Sequence, residues 1–177
     1  MPDPASIDRL LRSKRKKPLF DPADLPVKLN YSQEFIKKII PHRSPLLFVD
    51  RLTGLNLEQG LISGERFMNP SDPVFAGHFP DLPLYPGNFV MEMIGQLALC
   101  MNYFEAQQRT DIAPDAKPIA NRLIKAQAYY LEPIYPGVTV SILAQKLFMD
   151  EYSISLIGQA LVNGKVAVVT SGEALIF

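Results

Sequence analysis

Pro86-Gly87-Asn88-Phe89-Val90-Met91-Glu92-Met93-Ile94-Gly95-Gln96-Leu97-Ala98-Leu99-Cys100-Met101-Asn102-Tyr103-Phe104 is the stretch that decides the fold. From Phe89 to Met101 nearly every position is apolar or small, and a helix greasy on nearly all sides is a buried helix. Pro86 suits a first helical turn. The exceptions are Asn88, Glu92 and Gln96, spaced four apart, so they form one polar column. That column reads either as a thin solvent-facing seam or as a polar line inside a cleft. A surface seam is normally wider and more charged than this.

Downstream the chain is β-rich. Strands are expected over Ile119–Leu131, Val138–Phe148, Ser153–Val162 and Val166–Phe177. Asn163-Gly164 is a strong hairpin signal and Pro136-Gly137 marks another turn. No helix intervenes, so the sheet should be antiparallel. Upstream, residues 31–40 begin a short helix with Ser32 as its cap and Phe35, Ile36, Ile39 and Ile40 inward, ended by Pro41. Leu46–Leu52 and Leu61–Phe67 are the remaining expected strands. The outline is an α+β fold: a long central helix wrapped by an antiparallel sheet of about six strands.

Residues 1–30 read as a basic N-terminal arm and a Pro-rich tether, and residues 31–177 as the main domain. Residues 1–17 hold six basic groups against Asp3 and Asp8, leaving twelve basic and sixteen acidic groups in the remainder. Ile7, Leu10 and Leu11 place one apolar side on a short helix over 5–17. Pro18, Pro22 and Pro26 make 18–30 extended. The basic cluster reads as a solvated, partly mobile tail or as a surface for an acidic protein. Nucleic acid and membrane fit less well, because no aromatic residue lies among the charges.

With 47% apolar and 20% charged residues, the chain has the composition of an ordinary soluble domain with a real core. Cys100 is the one cysteine, so no intrachain disulfide forms, and its apolar neighbours favour a buried reduced thiol. No metal-ligand spacing appears, so no metal is expected. No apolar run approaches the ~20 residues that span a bilayer, and no signal-peptide core is present. A cytoplasmic location is the expectation.

His78 lies in Val74-Phe75-Ala76-Gly77-His78-Phe79-Pro80, fourteen residues before Glu92. A carboxyl on a buried helix is pushed toward its protonated form by desolvation. Gln96, one turn on, can orient it, and a loop imidazole can accept a proton. The first amides of the central helix can stabilise an enolate, and Gly87 lets a substrate come close to its N–H. Base, acid and oxyanion donor thus fall within residues 78–92.

These residues resemble a known family. Gly77-His78-Phe79-Pro80, Pro83, Pro86-Gly87, Glu92 and Gln96, with Pro41-His42-Arg43-Ser44-Pro45-Leu46-Leu47-Phe48-Val49-Asp50-Arg51 upstream, are similar to the bacterial (3R)-hydroxyacyl-ACP dehydratases of the hotdog fold, the FabZ type. Similarity continues through Pro133–Gly137 and Asn163–Val166. The resemblance implies His78 and Glu92 as the catalytic pair, Gly87 as the amide that binds the thioester carbonyl and Gln96 as support for the carboxyl. A related group that also isomerises the alkene has aspartate at the carboxyl position, so Glu92 resembles the dehydrate-only type. His42 is expected to be structural. Asp81 and Leu84-Tyr85 depart from the family pattern beside the site and bear on substrate range.

The implied reaction is reversible dehydration of a (3R)-3-hydroxyacyl thioester on acyl carrier protein, in fatty acid or related acyl-chain synthesis, without cofactor. The implied assembly is a homodimer with each site shared between protomers; a trimer of dimers is common in the family. The alternatives are a hotdog acyl thioesterase, recognised by release of free thiol, and an inactive acyl-binding subunit, recognised by tight binding without turnover.

Overall fold

The computed structural model describes residues 4–176. The elements in chain order are α1 (Pro4–Ser13), a 3-10 turn (Pro22–Asp24), β1 (Val27–Ser32), α2 (Gln33–Ile39), β2 (Arg51–Asn56), β3 (Leu61–Phe67), α3 (Pro73–His78), α4 (Gly87–Gln107), β4 (Asn121–Tyr130), β5 (Thr139–Met149), β6 (Ser153–Val162) and β7 (Lys165–Ile176). Phe177, the expected end of the last strand, lies outside the described residues. One antiparallel sheet runs in the order β1-β2-β3-β5-β6-β7-β4. It wraps α4, which packs against β3, β4, β5, β6 and β7. This is the hotdog arrangement.

The sheet has seven strands rather than about six. The added strand is β1, whose first four residues were expected to tether and whose last two to begin the short helix. Val27-Lys28-Leu29-Asn30-Tyr31-Ser32 alternates half-buried and exposed positions and pairs with β2. In the other direction, Leu46–Asp50 is not strand. Phe48 N–H donates to Gln96 Oε1 at 2.8 Å, and Leu46 C=O accepts from Gln96 Nε2 at 2.8 Å. A helix side chain thus takes the backbone groups that a neighbouring strand would otherwise use. Ser32 is the N-cap residue of α2 but its side chain makes no capping bond. Ile36, Ile39 and Ile40 are fully buried, whereas Phe35 is exposed beside Tyr31.

The buried side of α4 is the floor of the main core, with Met93, Ile94, Leu97, Cys100, Met101 and Phe104 inaccessible to solvent. Burial pushes the Cys100 thiol pKa well up, consistent with an inert core residue. Gly158 on β6 lets the helix approach the sheet. A Cβ there would lie 2.2 Å from Ile94 Cγ2 and 2.8 Å from Leu143 O. Gly158→Ala should therefore cost about 1–3 kcal/mol by overpacking, measured by urea denaturation. Adding Ile94→Ala should recover part of that loss; no recovery would place the strain elsewhere.

α1 covers the outer face of the sheet. Leu11 is fully buried with Leu143, Ile157, Leu161, Val166 and Val169. The chain after α1 is held by buried Gln159, whose Nε2 donates to Lys14 O (2.6 Å) and Lys17 O (3.0 Å) and whose Oε1 accepts from Leu19 N (2.7 Å). Asp8 accepts from Tyr129 Oη at 2.8 Å and pairs with Arg12 at 2.8 Å. The arm is docked, not free in solvent; its apolar stripe has a partner.

Candidate active site

Two cavities flank the N-terminal half of α4. The first, about 480 Å³, is lined by His78, Tyr85, Pro86, Gly87, Tyr130 and Val168 among others. His78 is the last residue of α3, not a loop residue. Asp72 starts that helix: its Oδ1 accepts from Val74 N at 3.0 Å, and Arg66 holds its Oδ2 at 3.2 Å. Arg66 lies over the rings of Phe48 and Tyr85, at 5.1 and 5.6 Å. The Tyr85 hydroxyl is buried without a partner, and burial pushes its pKa up to about 12. His78 Nδ1 is 3.0 Å from Leu84 O. A carbonyl accepts only, so Nδ1 carries the hydrogen and Nε2 is left as the acceptor.

Gly87 is the first residue of α4, and its N–H has no acceptor within the helix. A Cβ at this position would come within 2.6 Å of the Tyr130 ring. The absent side chain therefore makes room for Tyr130, whose hydroxyl donates to Asn88 Oδ1 at 3.1 Å. The same missing side chain was expected to let a substrate approach the Gly87 amide.

The second cavity, about 170 Å³, holds Glu92, Gln96 and His42, with β4 and β7 opposite. Gln96 Nε2 donates to Glu92 Oε1 at 2.9 Å, so the amide is bonded to Glu92, Leu46 and Phe48 at once. The polar column expected on α4 is real and sinks inward: Asn88 is exposed, Glu92 half-buried and Gln96 buried. Sequence reasoning treated His42 as structural, yet its Nε2 lies 3.4 Å from Glu92 Oε1. The signal for it was faint: the chain has only two histidines, and this one follows a helix end.

The Glu92 carboxyl was expected to be raised in pKa; within the chain it is lowered. Hydrogen bonding from His42 is the largest cause, Gln96 adds to it, and partial burial opposes both. The side chain is 44% exposed in a single chain, too open for desolvation to win. His78 and Glu92 line different cavities, and Asn88 lines both. Among the described residues, no cluster of three or more His, Cys, Asp or Glu side chains is placed to hold a metal ion.

The fold and these two cavities define a hotdog-fold protein with a helix-terminal imidazole on one side of α4 and an amide-anchored carboxyl on the other. The FabA-like domain family matches residues 40–171, and the chain belongs to that family. It is 32% identical over 141 residues to the 3-hydroxyacyl-[acyl-carrier-protein] dehydratase FabZ of Aliarcobacter butzleri, covering 80% of this chain and 94% of that one. It is 37% identical over 107 residues to the enzyme of the same name from Sulfurovum sp., covering 58% and 67%. In fold it is similar to the dehydratase heterocomplex ApeI:P from Xenorhabdus doucetiae, with a TM-score of 0.61 at 15% identity over 80% of this chain and 90% of that one.

Proposed function

We propose that this member of the FabA-like family is a 3-hydroxyacyl-[acyl-carrier-protein] dehydratase that reversibly converts a (3R)-3-hydroxyacyl thioester to the trans-2-enoyl thioester and water. His78 Nε2 takes the C2 proton. The Gly87 amide, at the positive end of α4, stabilises the enolate oxygen. Glu92 protonates the departing hydroxyl, and the C3–O bond breaks as the C2–C3 double bond forms. The observation that carries this reading is the split pair: an imidazole with a free Nε2 beside the α4 amides, and a carboxyl held by Gln96 on the open side of the same helix.

A second copy of the chain supplies the other half of each site. β4 is an unpaired sheet edge with Leu123 (55%) and Ile124 (48%) exposed, and it borders the Glu92 cavity. Joining two such edges puts one protomer's imidazole opposite the other's carboxyl and excludes water from Glu92. The lowered pKa in the single chain then rises toward that of a working acid. The test is hydration of a crotonyl thioester followed by absorbance, with His78→Ala and Glu92→Gln. Each should lose about 100- to 10,000-fold; full activity in both rejects the assignment. Release of free thiol instead would reveal a thioesterase.

The acyl group arrives on the carrier protein's phosphopantetheine arm, in a cytoplasmic setting and with no cofactor. In the docked arm Arg15 sits 5.2 Å over Tyr129, which precedes in sequence two residues that line the His78 cavity, Tyr130 and Leu131. Deleting the arm would uncover Leu143 and Ile157, so charge reversal is the cleaner probe. Lys16→Glu with Lys17→Glu should raise KM for the carrier-protein substrate about tenfold at low ionic strength, and less in salt. KM for the CoA thioester should not move. Equal carrier KM at both salt concentrations would remove the arm from docking.

A further inference from the structure

The Glu92 cavity contains one more ionisable side chain among the described residues, and it is His42. Its Nε2 approaches Glu92 Oε1 at 3.4 Å, the same oxygen that Gln96 Nε2 reaches at 2.9 Å. Both contacts are made to Oε1. His42 Nδ1 is buried with no partner. A hydrogen there would be a buried N–H without an acceptor, at a cost of about 1–3 kcal/mol. A single ring hydrogen therefore sits on Nε2, the nitrogen that lies beside the carboxyl.

We infer that His42 is a positioning residue for Glu92: with Gln96 it ties down one carboxyl oxygen and leaves Oε2 to carry the proton delivered to the departing hydroxyl. This rests on the dehydratase reading above. The arrangement explains why two donors converge on one oxygen instead of bracketing the carboxyl. It also gives His42 control of the pH at which the acid works, because a donor to the carboxylate disfavours the protonated form. Other charges do not compete for this role. Arg43, next in sequence, turns its guanidinium back onto the carbonyls of Lys37, Ile40 and His42. β4, β6 and β7 present no ionisable side chain to the cavity. The third group to enter is the second copy's imidazole, as proposed above.

The test uses the full-length protein with His42→Ala and His42→Gln. Carbon-13 carboxyl NMR, with the Glu92 signal assigned by its loss in Glu92→Gln, gives the Glu92 titration midpoint without substrate. His42→Ala should move that midpoint up by about half a pH unit or more, and His42→Gln, which keeps an N–H donor, should bring it back toward wild type. In turnover, the alkaline limb of kcat should shift upward with it while the acidic limb stays. kcat at the wild-type optimum should fall about tenfold. A midpoint unmoved in His42→Ala overturns the inference, even if that variant is less stable. Absence of crotonyl thioester hydration by the wild-type protein would instead reject the dehydratase reading, a result the NMR midpoint does not depend on.

Discussion

A heterodimer of one His78→Ala chain and one Glu92→Gln chain should recover about half the wild-type kcat per dimer, although each parent homodimer is nearly inactive. The physical basis is the separation of the two side chains into different cavities on either side of α4. If each site joins one protomer's imidazole to its partner's carboxyl, the mixed dimer contains one site with both defects and one with neither. Co-expression with two affinity tags and purification through both isolates the mixed species. A heterodimer as inactive as its parents would mean that one chain supplies both groups. Because the parents should each be down about 100- to 10,000-fold, the expected recovery stands far above background.

Gln96→Leu should damage stability and turnover together. The substitution keeps most of the side-chain volume but removes three bonds. Phe48 N–H and Leu46 C=O are left without their partners, each at a cost of about 1–3 kcal/mol where water cannot replace the amide. Urea denaturation should register the sum, a loss of about 2–6 kcal/mol. Glu92 also loses its closer anchor, and kcat should fall about 10- to 100-fold through mispositioning of the acid. A loss below about 1 kcal/mol with normal turnover would mean that water substitutes for the amide.

Much of this was legible in the chain because local patterns and tertiary fate agreed. The apolar run over Phe89–Met101 is a buried helix, and the Asn163-Gly164 turn joins β6 to β7 with both residues at positive φ. Elsewhere the local signal pointed the wrong way. Prolines hid the alternation of β1, and the β-rich run at Leu46–Asp50 gave its backbone bonds to a side chain fifty residues away. The arm's apolar stripe was visible, but not that Gln159 would hold its backbone to the sheet. His42 escaped because its meaning lies in a contact with a residue fifty positions on, and one-dimensional spacing carries no such information.

Residue identity alone determined which groups are on offer for chemistry: an imidazole after a glycine, a carboxyl and an amide one turn apart, and a helix too apolar to face water. The tertiary structure decided how they are shared out. It put the imidazole and the carboxyl in separate cavities, brought a second histidine to the carboxyl, and left that carboxyl half open, with a lowered rather than raised pKa. The physical reason is that proton affinity and pairing depend on distance and on exclusion of water, and neither is a property of the sequence order.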